Sequence, residues 1–221
     1  AAEAFRRAGR WAEAASLFLE SGNPSDAAAC LEQLGCATEA AWARAAAGDP
    51  LAAAGGLERN GAHEDAAKLY RNAGALVEAA RCFEACGQMD EAARCHRESG
   101  DPLRAAALYE QLGDLDTAMT LLQSVPRQSD ADGAAARALG RISEKLGMDA
   151  VAADHYRRGL QDEGDDPEHQ ETLYRYARVL ERLGRLREAS QALRRLLLID
   201  HRHKDARDRL ALLERRLTEG G

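Results

Sequence analysis

Residues 74–86 read GALVEAARCFEAC, and the same design stands at residues 9–21, GRWAEAASLFLES, and at residues 100–112, GDPLRAAALYEQL. Each stretch opens on glycine, sets a polar residue fifth, alanine sixth and seventh, and a large side chain tenth. A spacing of three to four residues between the alanines and the large residue is that of one helix face, so each unit predicts one short amphipathic helix. The glycine returns every thirteen residues, at Gly9, Gly22, Gly35, Gly48, Gly61, Gly74, Gly87, Gly100 and Gly113. A fixed period marks a repeat array, whose units cannot bury their apolar faces alone. The sixth position is alanine in all nine units: Ala14, Ala27, Ala40, Ala53, Ala66, Ala79, Ala92, Ala105 and Ala118. The tenth is bulky at Phe18, Leu31, Leu57, Tyr70, Phe83, Tyr109 and Leu122, with Arg44 and His96 as exceptions.

The ends of the helices are marked as well. The recurring glycine suits the left-handed residue just past a helix C-terminus, where a Cβ would be strained. Asn23-Pro24, Asp49-Pro50 and Asp101-Pro102 have the form of an N-cap followed by proline at the first helical position. In that register Asp26, Glu39, Asp65, Glu78 and Glu91 fall at the third helical residue, near free backbone N–H groups and the positive end of the helix dipole. Helices of roughly ten residues do not persist alone. They must stack, and the alanine faces let antiparallel neighbours approach closely.

Past Pro126 the period changes. Arg127 to Asp132 is rich in turn-forming residues and has no apolar stripe, so 126–132 is expected to connect two subarrays. Longer helices are expected near 133–146, 149–162, 168–183, 186–199 and 203–218, with turns at Gly147 and Gly184 and a polar break from Glu163 to Pro167. The expected fold is all-α, an α-solenoid of stacked antiparallel helical hairpins. Its divisions would be an array over 1–125, a connection over 126–132, two repeats over 133–203, and a capping helix and tail over 204–221.

This second half resembles the tetratricopeptide repeat family. In residues 133–164 the matching positions are Leu139-Gly140, Gly147, Ala152, Tyr156 and Gly159; in residues 170–203 they are Leu173, Ala177, Leu180, Gly184, Ala189, Leu193 and Asp200. The proline usual at the end of the motif is replaced by Gly164 and by His201, and a late small residue is Leu196. The thirteen-residue array is similar to a compressed relative, of the kind found in bacterial signalling chains. The resemblance implies a non-enzymatic scaffold or adaptor for protein–protein interaction. It also implies that the first helix of each pair lines a concave groove, which would place Arg137, Arg141 and Lys145 beside Tyr174, Arg178 and Arg182. A basic groove bearing an aromatic residue suits an acidic extended or helical peptide, with Arg forks pairing carboxylates. The competing reading of the same residues is a surface salt-bridge lattice with Glu144 and Glu181. The Lys and Asn clamp of some family members is not evident, Val179 standing where Asn would be sought.

Charge is uneven along the chain. Residues 1–125 hold 11 Lys and Arg against 19 Asp and Glu, residues 126–172 hold 6 against 11, and residues 173–221 hold 13 against 7. An acidic array with a basic end lacks the continuous positive stripe that tracks a nucleic-acid backbone, so no nucleic-acid partner is expected. No run of eighteen apolar residues stands in the sequence, which excludes a spanning helix. Five cysteines without dense pairing suit a reducing, cytoplasmic setting. Cys82, Cys86, Cys95 and His96 could be drawn as a zinc set, but Cys30, Cys82 and Cys95 share the ninth position with Leu17, Leu69 and Leu108 and read as small core residues. No metal or cofactor is expected.

No nucleophile stands in a catalytic setting, the six histidines read as lying on turns and helix surfaces, and Gly55-Gly56 opens no phosphate loop. No enzymatic activity is expected. Ala1 and Ala2 fall at the sixth and seventh positions of a truncated unit, so the chain reads as a piece of a larger protein. An alternative role is then a regulatory or sensor arm for an effector domain elsewhere in its parent chain, with such domains among its partners.

Overall fold

The structure, a computed structural model, describes residues 1–161 and 164–219. Fifteen helices run through them and no strand does. The chain divides into two compact units, Ala1–Leu112 and Gly113–Gly221.

The first unit holds α1 (Ala2–Arg7), α2 (Trp11–Glu20), α3 (Pro24–Gln33), α4 (Ala37–Ala46), α5 (Pro50–Arg59), α6 (His63–Asn72), α7 (Leu76–Ala85), α8 (Met89–Glu98) and α9 (Pro102–Leu112). The thirteen-residue period thus resolves into a helix of mostly ten residues and a minimal connector. At Gly87, φ is 80°; its N–H reaches Glu84 O at 3.1 Å, and the next N–H, of Gln88, reaches back to Phe83 O at 2.8 Å. This pair of bonds is the Schellman closure of a helix end. Gln88 is also the N-cap of α8, so one residue ends one helix and begins the next. So short a link forces antiparallel neighbours.

The expected caps form. Asp49 and Asp101 accept from Ala52 N and Arg104 N at 3.1 Å each, and Asn23 accepts from Asp26 N at 3.5 Å. All nine sixth-position alanines are buried. The eight from Ala14 to Ala105 mark the seam along which consecutive helices of the first unit pack.

The tenth position carries a second regularity. Its side chain meets the eleventh residue of the preceding unit, twelve residues back. Arg6 lies over the Phe18 ring at 5.6 Å and Arg71 over the Phe83 ring at 5.4 Å. The Tyr70 hydroxyl donates to Glu58 at 3.0 Å, His96 pairs with Glu84 at 2.8 Å, and Arg44 pairs with Glu32. His96 is therefore no exception to the bulky tenth position: it is 2% exposed and occupies the place of a ring. His96 and His169, expected on turns or surfaces, are both buried, because each imidazole fills a core position of its helix.

The second unit holds α10 (Leu115–Gln123), α11 (Asp132–Lys145), α12 (Asp149–Gly159), α13 (Pro167–Arg182), α14 (Leu186–Ile199) and α15 (Ala206–Glu219). The segment before α11 turns as expected, Gln128 sitting at φ 65° with its N–H on Asp132 Oδ2 at 3.1 Å. Asp162 and Glu163, the expected end of α12 and start of the polar break, lie outside the described residues. The last helix begins at Ala206 rather than 203, because Lys204 takes a left-handed φ of 43°. The core of this unit gathers Tyr156, Leu173, Leu180, Leu193, Leu196 and Leu213. Helices α11 and α12 meet at glycine: a Cβ on Gly140 would stand 2.4 Å from the Tyr156 ring, and one on Gly159 would stand 2.6 Å from Arg137 Cγ. The twelve-residue contact recurs here, Tyr156 donating to Glu144 at 2.9 Å.

Candidate functional site

The six residues expected to face a partner sit on α11 and α13, the first helices of successive hairpins, and the structure disperses their roles. Arg137 is folded inward, its side chain 19% exposed, with Nη1 donating to Gly159 O at 3.3 Å and Nη2 3.5 Å from Glu168. Arg141 is half-buried and Lys145 exposed, and neighbours engage both. Arg182 is held by two carboxylates, Asp149 at 2.7 Å and Glu144 at 3.2 Å. The Arg182 hydrogen bond holds the Asp149 carboxyl below the ordinary range, and the same bond raises the guanidinium. Glu144 also takes Arg175 at 3.4 Å, and Glu181 takes Arg209 at 3.0 Å. The lattice around Glu144 and Glu181 is therefore present on this face.

Tyr174 and Arg178 are brought together. Tyr174 is 6% exposed, and its hydroxyl donates to Asp205 Oδ1 at 2.5 Å. Lys204 Nζ stands 4.6 Å from its ring centroid, and the guanidinium carbons of Arg178 and Arg209 each stand 6.0 Å away. Three cations thus surround one ring, within cation–π reach, and the His203 ring adds a tilted contact at 5.5 Å. The Tyr174 hydrogen bond keeps Asp205 below the usual carboxylate range. Burial pushes the Glu171 carboxyl up, but Lys204 at 2.5 Å and Arg175 at 3.0 Å more than offset it, and the net shift is downward.

Sequence reasoning missed Arg175, His203, Lys204, Asp205 and Arg209. The i, i+4 spacing of Glu171 with Arg175 was available as a signal. The other four come from the α14–α15 turn and α15, and no spacing in the sequence ties those segments to α13. Of the expected six, Arg178 is exposed and turned to an aromatic ring rather than to a carboxylate.

The thiols are dispersed in character. Cys30, Cys82 and Cys95 are buried, Cys36 is half-buried and Cys86 exposed. Desolvation raises the Cys82 and Cys95 thiols, the environment of inert core cysteines. Among the described residues no group of three or more His, Cys, Asp or Glu is placed to hold a metal ion.

Residues 103–129 and residues 170–203 each match the tetratricopeptide repeat family. The chain carries tetratricopeptide repeats. The first match covers the last units of the thirteen-residue array and runs into the connection after it. Of the solved structures that resemble it, the APC/C hetero-tetramer Cut9–Hcn1 is 16% identical, with a TM-score of 0.50 over 96% of this chain and 48% of that one. Naa15/Naa10 bound to HypK-THB is 17% identical, with a TM-score of 0.50 over 96% of this chain and 37% of that one. This chain therefore spans half or less of the length of these proteins, and the likeness is one of fold. No curated protein matches the sequence. Tetratricopeptide repeats in general serve as scaffolds for protein–protein interaction. Among the described residues no helix is long and apolar enough to cross a membrane.

Proposed function

We propose that this chain is a non-enzymatic adaptor and that the α11–α13–α15 face of its second unit docks an acidic segment of a protein partner. One observation carries the reading. Three cations converge on the Tyr174 ring, and exposed Arg178 has its guanidinium carbon 6.0 Å from the centroid of that ring rather than in an ion pair. A guanidinium beside an aromatic ring and outside an ion pair has its planar fork available to a carboxylate. Arg141 and Lys145 extend the positive surface along α11. Tyr174 itself, nearly buried, supports this surface from beneath. Arg137 and Arg182, already paired, stiffen it. A reducing, cytoplasmic setting fits the five free thiols.

The test is a selection of random dodecapeptides displayed on phage against the wild-type protein and against Arg141→Glu with Arg178→Glu. Asp- and Glu-rich sequences are expected to be enriched by the wild type alone. Their affinity should fall at least tenfold in the double variant and weaken from low to moderate salt, since exposed pairs add little singly and are screened. Equal affinity in a folded double variant would remove the site from this face.

A further inference from the structure

In the first unit the repeating pattern is broken at one place. The tenth position of the unit that holds α4 is Arg44, where the adjacent units carry Leu31 and Leu57 and others carry Phe18, Tyr70, Phe83, His96 or Tyr109, and the ninth position of the unit that holds α5 is Gly56, where others carry leucine, cysteine or, at Ala43, alanine. The two changes are adjacent in space. Where the ring and the ninth side chain would lie there is a hollow of about 250 Å³, floored by Ala40, Ala41, Ala53 and Gly56 and rimmed by Glu32 and Arg44. Two units along, the equivalent place is filled by Tyr70, whose hydroxyl reaches Glu58. The acidic partner Glu32 is retained, and Arg44 reaches out to it with a side chain 54% exposed, above a recessed floor whose alanines are buried.

The unit around this hollow is acidic, residues 1–112 holding 11 Lys and Arg against 17 Asp and Glu. We infer that the α4–α5 hollow is a docking site for an aromatic side chain presented by a basic segment of a protein partner. The ring would occupy the place that Phe18, Tyr70, Phe83 and Tyr109 take in their own units. Arg44, which stands at the rim, would lie against it as a cation beside an aromatic face. The cavity is smaller than the ~300–1,000 Å³ of small-molecule sites, and suits a single anchoring side chain. Basic residues flanking the ring would be drawn by the negative unit. The site is independent of the face proposed above and opposite to it in charge preference.

The experiment is an amide NMR titration of the whole chain with the blocked tripeptides Lys-Trp-Lys, Lys-Ala-Lys and Asp-Trp-Asp. Lys-Trp-Lys is expected to shift the amides of Ala40, Ala41, Ala53 and Gly56 and to bind at least tenfold more tightly than either of the others. The variant Arg44→Tyr with Gly56→Cys gives the two positions the residues they have at Tyr70 and Cys82. It should melt higher than the wild type and lose at least tenfold in Lys-Trp-Lys affinity. A side chain is admissible at Gly56, where an added Cβ would meet only Arg59 Nη2, at 4.0 Å. Should the double variant fold poorly, Gly56→Leu fills the hollow from α5 alone and must show the same loss. Unchanged binding in the filled variants, shifts confined to residues outside α3–α5, or equal binding of Lys-Ala-Lys would each overturn the proposal.

Discussion

At the scale of single residues, two side chains show how contacts rather than composition set behaviour. A Cβ on Gly140 would lie 2.4 Å from Tyr156, which is 1% exposed and tied to Glu144 by its hydroxyl, so the ring cannot yield cheaply. Replacing a helical glycine by alanine ordinarily gains up to about 1 kcal/mol; here the ~1–3 kcal/mol of overpacking should win. Gly140→Ala is therefore expected to lower the urea midpoint, and a raised midpoint would refute the contact. Asp205 is held below its ordinary range by the Tyr174 hydroxyl. A depressed carboxyl contributes stability that is complete above the unfolded pKa of about 3.9 and is lost as pH falls through the lower folded value. Tyr174→Phe should raise the Asp205 pKa in a carboxyl NMR titration. It should cost about 1 kcal/mol or less at pH 6, the carboxylate being part-exposed, and the difference should fade in acid below the folded pKa. A difference that persists there would assign the effect to packing alone.

At the scale of the element, each helix of the array is too short to stand by itself and is held by its seam. Ala79 in α7 and Ala92 in α8, each at the sixth position of its thirteen-residue unit, are fully buried. Leucine at either place should push neighbouring helices apart and cost about 1–3 kcal/mol, read as a lowered denaturant midpoint with helical circular dichroism retained. If both variants keep the wild-type midpoint, the alanine seam is not where the helices touch. The Schellman ends make a parallel demand: Gly87→Ala puts a Cβ on a residue with φ 80°, a strain of about 1–2 kcal/mol, with no neighbouring atom within 4 Å to compound it.

At the scale of the molecule, stability in a repeat array is a sum of units and their interfaces, so it should grade from the ends inward. Helix α1 buries no residue, and α15 buries only Ala206 and Leu213. Native-state hydrogen exchange is expected to show α1 and α15 opening at low free energy, while α7 and α8 in the first unit and α13 in the second are protected longest. Uniform protection from α1 to α9 would mean that the first unit unfolds as one block rather than by increments. Circular dichroism with substantial strand content would contradict the fold outright.

The array was legible in the sequence because its determinants are local. Glycine at the left-handed position, an Asx cap before proline, and alanine six residues into each unit act within one turn of chain, and period alone then stacks the helices. The hairpins at 133–203 were legible for the same reason, and helical spacing put the basic residues of α11 on one stripe and those of α13 on another, which only the family resemblance set side by side. What those residues do was decided by tertiary structure. Arg137 turned in to Gly159 and Glu168, Arg182 was taken by Asp149 and Glu144, and Tyr174 was covered by Lys204, Asp205 and Arg209. The physical reason is that the pairing of charged side chains depends on distances between helices thirty residues apart, and these follow from packing. The same holds for Arg44 and Gly56. In sequence they are two departures from a pattern, and packing alone makes them the two sides of one hollow.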